Sequence, residues 1–194
     1  MSVKLYLGSG SPRRVELLNQ MNFQFEQRVI DVDEKYPLAL KGSDITNYLA
    51  KLKGQAHQKI LLQNEIVLTA DTIVWHNGVA LGKPKNENEA IKTLTSLSGN
   101  THEVISSVCL TTIANQTCVH ESTKVTIRSL STAEITHYVK NFKPLDKAGA
   151  YGIQEWIGHI GVTKIEGSYT NVVGLPTHKT YNLLKPHFRN ITFR

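Results

Sequence analysis

Two stretches of this chain carry residue types suited to phosphate and water. The first is Gly8-Ser9-Gly10-Ser11-Pro12-Arg13-Arg14. Glycines let a backbone approach a phosphate closely, and free N–H groups at a helix N-terminus attract anions through the helix dipole. Two arginines in a first turn supply bidentate hydrogen bonds to phosphate oxygens. The stretch lacks GxxxxGK[ST], so it is no P-loop; its plainer reading is a tight turn followed by a solvated helix face. The second is Asp71, inside the apolar run Val67-Leu68-Thr69-Ala70-Asp71-Thr72-Ile73-Val74-Trp75. An ionised carboxylate there is costly unless it meets a metal, a cation or several donors. At a strand end it can hold Mg²⁺ or Mn²⁺ through one or two oxygens, leaving room for phosphate and water. Capping a turn or pairing with a lysine is the alternative.

Further charged candidates are Glu34 in Asp31-Val32-Asp33-Glu34, Lys53, and Lys83 in Gly82-Lys83-Pro84. Each type is more often a solvated surface residue. Lys83 is the least ordinary, because its flanking glycine and proline set its backbone. Gln154, in Ala148-Gly149-Ala150-Tyr151-Gly152-Ile153-Gln154, has an amide with donor and acceptor sides suited to a base edge. A satisfied loop amide is its plainer reading. The eight histidines show no metal-ligand spacing, and no CxxC or HExxH occurs.

The elements that must position these residues follow from pattern. Residues 3–7 read as a short strand ending at Gly8-Ser9-Gly10. Ser11 and Pro12 suit an N-cap and a first helical residue, opening a helix to about Met21. Residues 23–29 alternate as a second strand. Ser43 or Asp44 caps a helix through Ile45, Leu49, Leu52 and Ala56. Residues 66–70 form an apolar strand that ends in Asp71-Thr72, with residues 73–75 continuing it. His76-Asn77-Gly78-Val79 supplies an Asn-Gly hairpin turn. A helix over 87–97 follows, then strands at about 102–112 and 117–129. Ser131 with Glu134 forms a capping box that opens a helix to about Phe142. Residues 149–167 are glycine-rich, residues 169–175 follow, and a last helix begins near Thr177 and runs to about Lys185. This mixture, with some strands joined as hairpins, gives an α/β fold with a mixed sheet.

The chain has 194 residues, of which 40% are hydrophobic. A chain of that size and make-up can bury a core without disulfides or structural metal. Neither a signal-peptide stretch nor a run of ~20 apolar residues occurs, which favours the cytoplasm. The net charge is +6, but the basic residues are scattered among acids with no block of five. That distribution argues against bulk nucleic-acid binding. If Ala114-Asn115 turns a hairpin, Cys109 faces His120 and Cys118 faces Thr111. The two cysteines are then diagonal, a poor arrangement for a disulfide, and both read as reduced and structural.

Taken together, Ser9-Gly-Ser-Pro-Arg-Arg14, the Glu34 region, Leu49-Ala-Lys-Leu-Lys53, Ala70-Asp-Thr72, Gly82-Lys-Pro84, Leu97-Ser-Gly-Asn-Thr-His102, Leu130-Ser-Thr-Ala-Glu-Ile135, Asp146 through Gln154, Ile165-Glu-Gly-Ser-Tyr169 and Val173-Gly-Leu-Pro176 resemble the Maf family of nucleotide pyrophosphatases, in family order over nearly the whole chain. The resemblance implies one domain over residues 1–194 with the inosine triphosphate pyrophosphatase-like fold: an elongated mixed sheet flanked by helices, two lobes around a cleft. It also implies cleavage of the α–β phosphate linkage with a divalent cation (Mg, Mn or Co). Arg13, Thr72 and Gln154 place the sequence with the group acting on dTTP and UTP. Glycine stands at 8 and 54, where alanine is usual. On this resemblance Asp71 is the proton acceptor for the attacking water and, with Glu34, holds the metal. Arg13, Arg14, Lys53 and Lys83 neutralise the triphosphate, Ser9 binds a phosphate, and Thr72 and Gln154 read the pyrimidine. The partners implied are a nucleoside triphosphate and a second copy in a homodimer. Two rivals stand beside it: a nucleotidase for modified or purine triphosphates, and a non-catalytic regulator of septation.

Overall fold

The computed structural model describes residues 3–188. In chain order these form β1 (Lys4–Leu7), α1 (Pro12–Gln20), β2 (Glu26–Gln27), α2 (Ser43–Gln58), β3 (Glu65–His76), β4 (Val79–Leu81) and α3 (Glu87–Leu97). There follow β5 (Thr101–Thr111), β6 (Gln116–Ile127), α4 (Thr132–Phe142), α5 (Trp156–Gly161), β7 (Val162–Glu166), α6 (Tyr169–Val173) and α7 (Thr177–Leu184). The strands pair in the order β2-β1-β3-β5-β6-β7, with β4 on β3. β1 is parallel to β2 and β3, whereas β4 is antiparallel to β3 and β7 to β6, so the sheet is mixed as expected. The chain forms two compact units. The first runs to Asp71 and adds Ser106–Glu121 and the stretch from Gly174; the second is Thr72–Ile105 with Ser122–Val173.

In the first unit, β1 and the start of β3 pair from Lys4 opposite Glu65 to Leu7 opposite Leu68. Leu5, Leu7, Val67 and Leu68 are buried, the continuous apolar pattern of strands covered on both faces. Phe23 enters the core, but the strand expected over 23–29 shrinks to two exposed residues, Glu26 and Gln27. Beyond that pair the Arg28 N–H still donates to the Leu7 carbonyl at 3.1 Å, but Val29 is exposed and the ladder goes no further. α2 packs its backbone against β3 and the β5–β6 hairpin: Thr69 of β3 donates to the Ala50 carbonyl at 2.8 Å, and Gln116 of β6 donates from Nε2 to the Lys51 carbonyl at 3.0 Å. A methyl group on Gly54 would collide with Thr111 Oγ1 and Gln116 Nε2, so alanine there would require those side chains to shift.

That hairpin corrects one expectation. The Thr112 N–H donates to the Asn115 carbonyl at 2.8 Å, so the chain turns through Ile113-Ala114, one residue earlier than Ala114-Asn115. Sliding the turn by one residue changes every partner across the hairpin. Cys109 now stands opposite Cys118, with Cα atoms 4.1 Å apart, and the two form a disulfide. Closing so short a loop restricts the unfolded chain by about 2.5 kcal/mol. Reduction is therefore expected to lower the melting temperature while leaving the fold intact. Thermal melts with and without a dithiol reductant check this, with Cys118→Ser as the control that no longer responds.

The second unit is built around Val74, Leu94, Leu97, Val104, Val125, Ile135, Tyr138 and Ile157. The β3–β4 turn is as expected, with Asn77 and Gly78 both at positive φ. The two central residues of a type I′ turn must adopt that conformation. Ser131 and Glu134 form the expected capping box on α4. α5 and β7 arise within the glycine-rich stretch. The pairing of Val125 with Ile165 and the close seat of Gly158 on the Ile153 carbonyl order it through tertiary contacts. No helix among the described residues is long and apolar enough to cross a membrane.

Candidate active site

The loop after β1 carries the first candidate. Gly8 continues the ladder by donating to the Leu68 carbonyl at 2.8 Å, so Ser9 leaves the sheet beside β3 and is buried. Its hydroxyl oxygen accepts from Arg14 Nη1 at 3.1 Å and from the Ser11 N–H at 3.3 Å. With both lone pairs engaged, the Ser9 hydrogen is left to donate. Pro12 opens α1 as expected, and Arg13 and Arg14 sit in its first turn. Cations at a helix N-terminus oppose the dipole, an arrangement that a bound anion would relieve.

Arg14 also reaches other parts of the first unit. Its Nε donates to the Gly174 carbonyl at 3.0 Å and its Nη1 to the Ala70 carbonyl at 2.9 Å. It thereby ties Ser9 to the residue before Asp71. This is a role the residue pattern alone did not disclose, since Gly174 lies 160 positions away.

Asp71 lies within β3 rather than at a strand end, because Ile73 to His76 continue the strand to the β4 hairpin. Its residue is only 6% exposed. Lys53 reaches it from α2: Nζ lies 2.7 Å from Asp71 Oδ1 and 3.0 Å from Glu34 Oε1. Glu34 is exposed, on a segment without regular structure, and Lys53 is what brings it to Asp71. Burial pushes the Asp71 carboxyl above its ordinary pKa, while Lys53 and Arg14 pull it back. A carboxylate so balanced accepts a proton more readily than a solvated one.

Ser9, Arg14, Glu34, Lys53 and Asp71 are thus joined by hydrogen bonds and ion pairs within the first unit, and Arg13 stands in the same helical turn as Arg14. Thr72, Lys83 and Gln154 belong to the second unit. There Thr72 follows Asp71 along β3 and is half-buried, and Lys83 is exposed ahead of a buried Pro84. The carbonyl of Gly82 accepts from the Gly149 N–H at 3.2 Å, which links the Lys83 segment to the one leading to Gln154. The amide oxygen of Gln154 is buried and has no hydrogen-bond partner among the described residues.

A mixed α/β chain in which an arginine ties a glycine–serine loop to a lysine-paired, buried aspartate has the make-up of an enzyme for phosphate esters or anhydrides. The Maf-like protein family matches residues 4–187, and the chain belongs to that family. The dTTP/UTP pyrophosphatase of Flavobacterium johnsoniae is 54% identical over 181 residues, 93% of each chain. That of Bacteroides fragilis strain ATCC 25285 is 48% identical over 183 residues, 94% of this chain and 95% of the other. Among solved structures, the Ham1 protein of Staphylococcus aureus gives a TM-score of 0.48 at 14% identity, covering 64% of this chain and 71% of that one.

Proposed function

We propose that this chain hydrolyses dTTP and UTP between the α and β phosphates, releasing the monophosphate and pyrophosphate. The observation that carries the reading is Asp71, buried, paired with Lys53, and tied through Arg14 to the Ser9 loop. The names of relatives that match over more than nine-tenths of the chain support the substrate class.

In this reading Asp71 orients and deprotonates the water that attacks the α-phosphorus. Ser9 donates to a phosphate oxygen, and Arg13, Lys53 and Lys83 neutralise the triphosphate and the departing pyrophosphate. Arg14 meets the phosphates and also holds Ser9 and the Ala70 backbone in place. Such chemistry is mostly positioning and charge stabilisation, which suits a site rich in cations and poor in reactive groups. Thr72 and Gln154 read the base, and the unpartnered Gln154 oxygen suits the N3–H of uracil or thymine.

No group of three His, Cys, Asp or Glu is placed to hold a metal among the described residues. Asp71 and Glu34 nonetheless offer hard oxygens that converge on one ammonium. Two carboxylates are enough for Mg²⁺ or Mn²⁺, which keep waters and take their remaining ligands from phosphate. When bound, such a cation would polarise the phosphoryl oxygens and lower the pKa of attacking water. The cytoplasm is the proposed compartment, since a nucleoside triphosphate is its substrate.

A panel of triphosphates assayed with Mg²⁺, Mn²⁺ or Co²⁺ tests the reading. UTP and dTTP should give pyrophosphate and monophosphate in equal amounts, and a chelator should abolish turnover. Release of inorganic phosphate alone, or faster turnover of ATP and GTP, would overturn it.

A further inference from the structure

The turn that bears Gln154 is closed by a side chain far from it in sequence. The Glu155 N–H donates to the Gly152 carbonyl at 3.0 Å, so residues 152–155 form a turn with Ile153 and Gln154 at its centre. Tyr138, fully buried on α4, meets both ends of that turn. Its hydroxyl accepts from the Gly152 N–H at 3.1 Å and donates to Glu155 Oε2. The other oxygen of Glu155 lies 3.1 Å from Lys147 Nζ, itself buried and 2.7 Å from Asp146 Oδ1. Burial and the hydrogen bond to Glu155 hold the Tyr138 phenol well above its ordinary pKa, so it keeps its hydrogen for donation.

The approach to the turn is also held firmly. Tyr151 OH and His102 Nε2 are 2.8 Å apart, both residues buried. Ala150 adopts a positive φ, inside the left-handed region. That conformation costs a non-glycine residue free energy and persists only where surrounding contacts impose it. Gly152 has no room for a methyl group beside the Glu155 side chain. Several independent contacts therefore fix a turn on which the Gln154 amide oxygen is buried and has no hydrogen-bond partner among the described residues.

We propose that Tyr138, with Glu155 and Lys147, is a positioning group for base selection: it fixes the turn that presents the Gln154 amide. The proposal rests on the reading of Gln154 as the base contact. A site that discriminates by hydrogen bonding depends on the donor or acceptor being held in place before the base arrives.

The test compares kcat/KM for UTP with that for GTP in wild type, Tyr138→Phe, Glu155→Gln and Gln154→Ala. Tyr138→Phe keeps the buried ring, stacked on Phe142 at 5.1 Å, and removes only the hydroxyl. It should raise KM for UTP and lower the UTP-to-GTP ratio by about tenfold, with kcat at saturation within about twofold. Glu155→Gln should shift the ratio in the same direction and stands in if Tyr138→Phe fails to fold, as judged by circular dichroism. In the Gln154→Ala background the Tyr138→Phe effect on the ratio should vanish. If Gln154→Ala alters the ratio but neither folded variant does, the positioning role is overturned and the base contact survives. If Gln154→Ala leaves the ratio unchanged, the base contact falls, and the positioning role with it.

Discussion

Asp71→Asn is expected to lower UTP turnover about 10²–10⁴-fold while leaving the enzyme at least as stable as wild type. The amide keeps the shape of the carboxylate and can still accept from Lys53 Nζ, so the contact at 2.7 Å need not be lost. What disappears is the capacity to take a proton from water, and loss of a general base costs about that much. The stability half follows from the direction of the pKa shift. Burial raises the Asp71 pKa above its unfolded value, so the folded state holds the proton more tightly. The stability this brings is fully present below the unfolded pKa and is lost as pH rises through the folded value. At neutral pH the charged Asp71 is accordingly a net cost that Lys53 and Arg14 offset only in part, and asparagine removes it. Steady-state kinetics and a thermal melt of one sample check both halves. Turnover within a few-fold of wild type, or a fall in melting temperature, would show the carboxylate to be structural.

Lys53→Met should do the opposite to stability and the same to activity. Methionine fills much of the volume of the lysine stem but leaves Asp71, with its side chain 9% exposed, without its nearest cation. Breaking a buried ion pair by removing one partner costs about 3–5 kcal/mol. For a chain of this size each kcal/mol moves the melting temperature by about 2–4 °C. Glu34 adds little to the loss, because its side chain is half-exposed and solvent screens it. Turnover should fall at least about 100-fold, since the ammonium both neutralises phosphate and holds the base ionised. The Lys53→Met/Asp71→Asn double variant should recover most of the lost melting temperature, because no buried charge is then left unpaired. A double variant that melts as low as Lys53→Met alone would mean that the loss does not come from an unpaired Asp71 and that the Lys53–Asp71 contact is incidental.

Much of the fold was legible because it rests on local chemistry. Pro12 presets the φ of a first helical residue, the Ser131–Glu134 capping box satisfies N–H groups within three residues, and the Asn77-Gly78 turn needs only its own two positive-φ residues, so each stands where pattern puts it. The Arg13–Arg14 turn and an aspartate in an apolar run were legible as candidates for the same reason: residue type and near neighbours define the chemical oddity. β2 and the Cys109–Cys118 bridge differ from the sequence expectation because their outcome depends on pairing. A strand pattern persists only if a neighbour strand takes it up, and the register of a hairpin hangs on the position of its turn.

The sequence by itself determined the inventory: which groups bear charge, where helices begin and which turns are tight, because those follow from interactions across three or four residues. Only the tertiary structure decided who meets whom. That Lys53 lies against Asp71, that Arg14 spends donors on Ser9, Ala70 and Gly174, and that Tyr138 closes the Gln154 turn are contacts spanning 5 to 160 positions. Most of those separations are set by how helices pack on strands, a collective outcome of burial that no short stretch of sequence encodes.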